Sequence, residues 1–157
     1  MSIHCHLSPV AAHLIFSPVS RKHKRIAALV EEHREHKLDR HYVGFFDCFN
    51  RGLFYEAHEV LEHIWLTDKQ GANGLFYKGL IQLAGGFVHL QRNHLRPAAA
   101  LFRLAHANFK EYPPQHESLD LLAVRRLIEK WLADLERTQY ATNPLTAENA
   151  PRLALLP

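Results

Sequence analysis

From Phe54 to Trp65 the chain reads Phe-Tyr-Glu-Ala-His-Glu-Val-Leu-Glu-His-Ile-Trp, setting three glutamates and two histidines among large apolar side chains. A second run, Gly79-Leu80-Ile81-Gln82-Leu83-Ala84, places an amide in an equally apolar stretch. Polar groups drawn into an interior must find partners there. Imidazole and carboxylate four residues apart, as in His58 and Glu62, share one helical face and can ligate zinc, iron or manganese once another element supplies a third donor. His33, His36 and His41 are donors from earlier segments.

At about 100° per residue, Leu53, Phe54, Ala57, Val60, Leu61, Ile64 and Trp65 cover a wide apolar arc. His58 falls inside that arc and Glu62 at its border, so both are expected to face the interior. Glu56, Glu59 and His63 fall on the remaining side and are expected to be solvated. The following helix is apolar nearly all round except for a stripe of Lys78, Gly79, Gln82, Gly85, Gly86 and His89. Asp68-Lys69-Gln70-Gly71-Ala72-Asn73-Gly74 is polar and short enough to force an antiparallel hairpin between the two. A turn centred near Gln70 sets His58 level with Gln82 and Glu62 level with Lys78, and these two contacts are predicted. His58→Ala should then cost about 1–3 kcal/mol, and Glu59→Ala less than about 0.5 kcal/mol. His89 stands two turns, about 10 Å, from Gln82, so one ion does not take both.

His58-Glu59-Val60-Leu61-Glu62 resembles the zinc-hydrolase motif His-Glu-x-x-His with its second histidine replaced. In that motif the glutamate is a general base beside the metal, whereas Glu59 is expected to point some 100° away from His58. A metal-dependent hydrolase is therefore the weakest of three readings. No Glu-x-x-His pair, Gly-x-Ser-x-Gly elbow, phosphate-cradling loop or Cys-x-x-Cys knuckle occurs, and the balance falls against an enzyme.

Phe49-Asn50-Arg51-Gly52-Leu53-Phe54-Tyr55-Glu56-Ala57-His58-Glu59-Val60-Leu61-Glu62 with Trp65, then Phe76 to Ala84, and His89-Leu90 before Asn93, together resemble the bacterial, archaeal and plastid family called domain of unknown function 309. The resemblance spans about residues 41–105 and implies a compact all-α fold without an established activity. It marks the positions of Glu56, His58, Glu59, Glu62, Trp65, Gln82 and His89 as the signature to watch for ligand binding. Two departures stand out. Lys78 occupies a position that is often glutamine, which puts an ammonium where a cation would sit, and Gly85-Gly86 replaces a bulkier pair, which opens a pocket or draws another helix closer.

The elements that must position these groups follow from the periodicity. An arm over residues 1–20, containing His4-Cys5-His6, precedes a helical domain over 21–139 and a proline-bearing tail over 140–157. Helices are expected at about Arg21–Leu38, His41–Asn50, Leu53–Thr67, Leu75–Arg92, Pro97–Tyr112 and from a Ser118 cap onward, giving an all-α bundle of five to six helices around a central hairpin. The last helix carries Leu121, Val124, Ile128, Trp131 and Leu135 as one stripe. The tail is expected over the domain or over a second subunit.

With 157 residues, 47% of them hydrophobic, the chain suits one core. Its 19 Lys and Arg stand against 16 Asp and Glu. The basic run Arg21, Lys22, Lys24, Arg25 lacks interleaved aromatics and is followed by Glu31, Glu32 and Glu35, which reads as a solvated helix start and not as a nucleic-acid site. Two cysteines give no disulfide framework. No run spans a bilayer, and Val10–Phe16 does not read as a secretory signal, so a cytoplasmic location is expected.

The leading functional expectation is thus a helical domain whose His58, Glu62, Gln82 and His89 cluster binds a divalent metal ion or a small polar ligand, with His58 and Glu62 as the metal donors. The rival is an interaction module or homo-oligomer that docks through Glu56, Glu59, His63 and the last helix's stripe, the cluster then being purely structural.

Overall fold

The computed structural model describes residues 18–157, with side chains from Arg21 onward. The expected N-terminal arm, with the His4-Cys5-His6 triplet, lies outside the described residues apart from its last three positions, which open the first helix. Among the described residues there are six α-helices: α1 (Pro18–Val30), α2 (Arg40–Asn50), α3 (Phe54–Thr67), α4 (Gly74–Gln91), α5 (Leu95–Phe109) and α6 (Leu121–Arg137). The all-α expectation holds. A 3-10 turn, Glu31–His33, follows α1, and a hairpin of two-residue strands, β1 (Gln115–His116) and β2 (Leu119–Asp120), leads into α6.

Helix α4 is the axis of the bundle because it is apolar on nearly every side: Phe76, Leu80, Leu83, Ala84, Phe87 and Leu90 are all fully buried. It runs antiparallel to α3, as the short turn requires, and packs along α5 on another side. The ring of Phe87 collects four aromatic neighbours at centroid distances of 5.0 Å (Phe54), 5.0 Å (Phe102), 5.1 Å (Trp131) and 5.6 Å (Phe49), tying α2, α3, α5 and α6 to the axis. Gly86 makes the α4–α5 approach possible, since a Cβ there would collide with the ring of Phe102.

Several expectations are corrected. The first helix stops at Val30 instead of running to Leu38. Pro97 is the third residue of α5, still within the first turn where its missing N–H costs nothing. Asp120, not Ser118, caps α6, its carboxylate accepting from the Ala123 N–H at 3.0 Å. Ser118 instead forms the hairpin turn with Glu117, both at positive φ. The α6 stripe is buried inside this same chain, so it is not a docking face for a partner.

The tail folds back over its own domain. Asn50 donates to the Leu153 carbonyl and accepts from the Leu153 N–H, both at 2.7 Å, and Leu155 bridges to Leu119. Among the described residues no helix is long and apolar enough to cross a membrane.

Candidate functional site

Two carboxylates of α3, Glu59 and Glu62, lie on the side of that helix covered by α1. Ile26 and Val30, one turn apart, bury against α2 and α3, and Val30 fits where Gly44 lacks a side chain: a Cβ on Gly44 would lie 2.9 Å from Val30 Cγ1 and 3.3 Å from Val60 Cγ1. Lys22 stands one further turn back on the same face of α1. Its ammonium therefore lands between two carboxylates of α3, 2.9 Å from Glu59 Oε2 and 3.2 Å from Glu62 Oε2. The hydrogen bond to Glu59, with Glu62 adding to it, holds the Lys22 pKa above the usual lysine range against a smaller opposing effect of burial.

This arrangement inverts two expectations. Glu59, expected to be solvated, has a side chain only 6% exposed, whereas that of His58 is 32% exposed. Glu62 is intermediate at 28% and pairs with Lys22, while Lys78 stays exposed, so the predicted Glu62–Lys78 contact is replaced. The helical wheel ranked these residues against the α3–α4 interface alone; α1 covers the other flank and takes Glu59 out of water.

His58 and Glu59 also lie closer than a 100° offset suggests. His58 Nδ1 is 3.7 Å from Glu59 Oε1, because a glutamate side chain is long enough to lean back toward its neighbour. That nitrogen is shut off from solvent without a hydrogen-bond partner. One donor atom each from His58, Glu59 and Glu62 lies within 4.8 Å of the others, a spacing an ion at the centre would span.

Gln82 does not bond to His58 as predicted. Its Oε1 accepts from Asn108 Nδ2 of α5 at 2.7 Å. The two residues nonetheless line one cavity of about 220 Å³ between α3, α4 and α5, and His89 lines it as well. Burial, with His94 and Arg92 nearby, depresses the His89 pKa. Glu56 and Trp65 stand apart from both groups: Glu56 is half-buried, and Trp65 lies under the Lys69 ammonium at 4.8 Å.

Two features escaped the sequence reading. His63, the exposed member of the run, stacks on buried His41 of α2 with centroids 4.3 Å apart and planes 14° from parallel. A second donor group joins Glu32, His33 and Asp47, with His33 Nε2 3.9 Å from Glu32 Oε1 and 4.0 Å from Asp47 Oδ2. Asp47 there is already held by Arg51 at 3.3 Å, and Glu32 is exposed, so this group is the looser of the two. Both depend on residues from different elements, which spacing along the chain does not reveal.

Residues 42–101 match the family model described as domain of unknown function DUF309, which bears out the resemblance over the stretch that carries α2, α3, α4 and the start of α5. The chain is also similar to an uncharacterised protein of Aquifex aeolicus (strain VF5), 27% identical over 89 residues, which amount to 57% of this chain and 27% of that one. The matched part thus spans about a quarter of the relative's length. No solved structure matches.

Proposed function

We propose that this domain binds one first-row divalent cation through His58, Glu59 and Glu62, with Lys22 as the internal counter-ion that a bound cation displaces. The observation that carries the reading is the position of Glu59: a carboxylate 6% exposed, one oxygen on an ammonium and the other facing an imidazole nitrogen that has no other partner. A carboxylate out of water needs a compensating charge. A divalent ion compensates it together with Glu62 and employs the orphan nitrogen of His58. One imidazole and two carboxylates suit manganese, iron or zinc, and three protein ligands leave positions for water or a further ligand.

Titration of chelator-treated protein with Mn²⁺, following the free-ion signal by electron paramagnetic resonance, should give one saturable site per chain. Glu59→Gln and Glu62→Gln should each weaken it at least tenfold. An absence of saturable binding by Mn²⁺ and Zn²⁺ alike would refute the proposal.

A further inference from the structure

The 220 Å³ cavity shares His58 with the cation group but not Lys22, Glu59 or Glu62, and its chemistry is of the opposite sign. No Asp or Glu lines it. Arg92, at the C-terminal end of α4, contributes a guanidinium that no ion pair engages among the described residues. His89 has an Nδ1 enclosed without a hydrogen-bond partner, whereas that of His58 faces Glu59. Asn108 donates to the oxygen of Gln82, which leaves that side chain its amide N–H groups to offer.

The rest of the wall is apolar. Ile81 and Val88 of α4 and Leu101 of α5 line the space, and Gly85 lets Leu101 come close to α4, where a Cβ would lie 3.2 Å from Leu101 Cδ1. Tyr55 closes the α3 side, its ring stacked on that of His58 at 6.2 Å and 23°. At about 220 Å³ the cavity is smaller than the roughly 300–1,000 Å³ of drug-sized ligand sites and suits a small molecule. Donors and a fixed positive charge in the wall of a small, partly open and largely apolar cavity favour a ligand with one anionic head and a short hydrocarbon body. Bare phosphate would leave the apolar walls unused.

We propose that this cavity binds a short branched aliphatic carboxylate, its head held by Arg92, His89 and Gln82 and its body against Ile81, Val88 and Leu101. The site goes beyond the cation reading: the two share the ring of His58, but no carboxylate of the cation site takes part, and the head of the ligand is held by other residues.

The test uses the full chain in excess chelator, titrated with 3-methylbutanoate by isothermal calorimetry and by the ¹H shifts of the histidine ring protons. Saturable one-to-one binding is expected, with the His89 and His58 ring signals moving. Arg92→Gln, at an exposed position, should leave the melting curve unchanged and weaken binding at least tenfold, and Leu101→Trp should fill the cavity and abolish it. The proposal is overturned if 3-methylbutanoate shows no saturable response. It is equally overturned if 3-methylbutan-1-ol or inorganic phosphate binds as well, because then either the charge or the hydrocarbon is not being read. Since chelator is present throughout, none of these outcomes bears on the cation site.

Discussion

Replacing Lys22 by Met separates the two roles assigned to its ammonium, that of a structural counter-ion and that of a competitor for the cation site. In the free protein the substitution leaves Glu59 in a poorly solvated position beside Glu62 with no positive partner. An exposed ion pair contributes about 0–1 kcal/mol, and breaking a fully buried one costs about 3–5 kcal/mol. The Lys22 side chain is 42% exposed and that of Glu59 only 6%, so the pair lies between these limits, and a loss of about 1–3 kcal/mol is expected. If an incoming divalent ion must displace the ammonium, the same free energy is returned on binding. Affinity should then rise by a factor of roughly 5–150. Urea denaturation of wild type and Lys22→Met, in chelator and in Mn²⁺, reads both quantities. The variant should be the less stable protein in chelator. At about 100 times the variant's dissociation constant, Mn²⁺ should add about 2.7 kcal/mol to the variant and only about 0.3–1.8 kcal/mol to the weaker-binding wild type, closing most of the gap. Reduced stability together with unchanged or weaker Mn²⁺ affinity would show that lysine and cation do not compete, and the argument would fail.

Three further outcomes follow from the packing and the ionisation of buried groups. Gly86→Ala should destabilise by about 2 kcal/mol in chemical denaturation: forcing a methyl into the Phe102 ring costs about 3 kcal/mol, and roughly 1 kcal/mol of helix propensity offsets it. A neutral or stabilised variant would mean that α5 can retreat from α4. Burial first, then His63, depresses the His41 pKa, with Arg40 acting in the same direction and Asp39 opposing. Above about pH 6.5 the ring is neutral in both folded and unfolded chains, and below it the unfolded chain takes up the proton first. Stability should therefore decline as pH falls from 7.5 to 5.5, and His41→Phe, which keeps an aromatic ring on His63, should flatten the decline; a parallel decline in the variant would count against this origin. Finally, burial pushes the Cys48 thiol up to about 11. Cys48 should stay inert to a thiol reagent in the native protein at neutral pH and react on addition of urea, as followed by mass of the modified peptide.

Much of the architecture is legible along the chain because it depends on local periodicity. The polar turn between Thr67 and Gly74 fixes α3 and α4 as antiparallel neighbours, the nearly all-round apolar α4 has to be central, and the α6 stripe at steps of three and four has to face a core. The side-chain types able to ligate a cation are equally plain in the run from Glu56 to Glu62. A helical wheel, however, records only the angle of a residue about its own axis, and it presumes a single buried side. Whether Glu59 or His58 is withdrawn from water depends on where α1 lies, and that is set by Val30 seating on Gly44 and Val60, contacts made across other elements. Lys22, Ile26 and Val30 share one face at four-residue steps, so the ammonium's alignment with Ile26 is present in the sequence. Its meeting with Glu59 and Glu62 is not, because a long-range pairing is chosen by the packing of three helices together and leaves no mark on the spacing within any one of them.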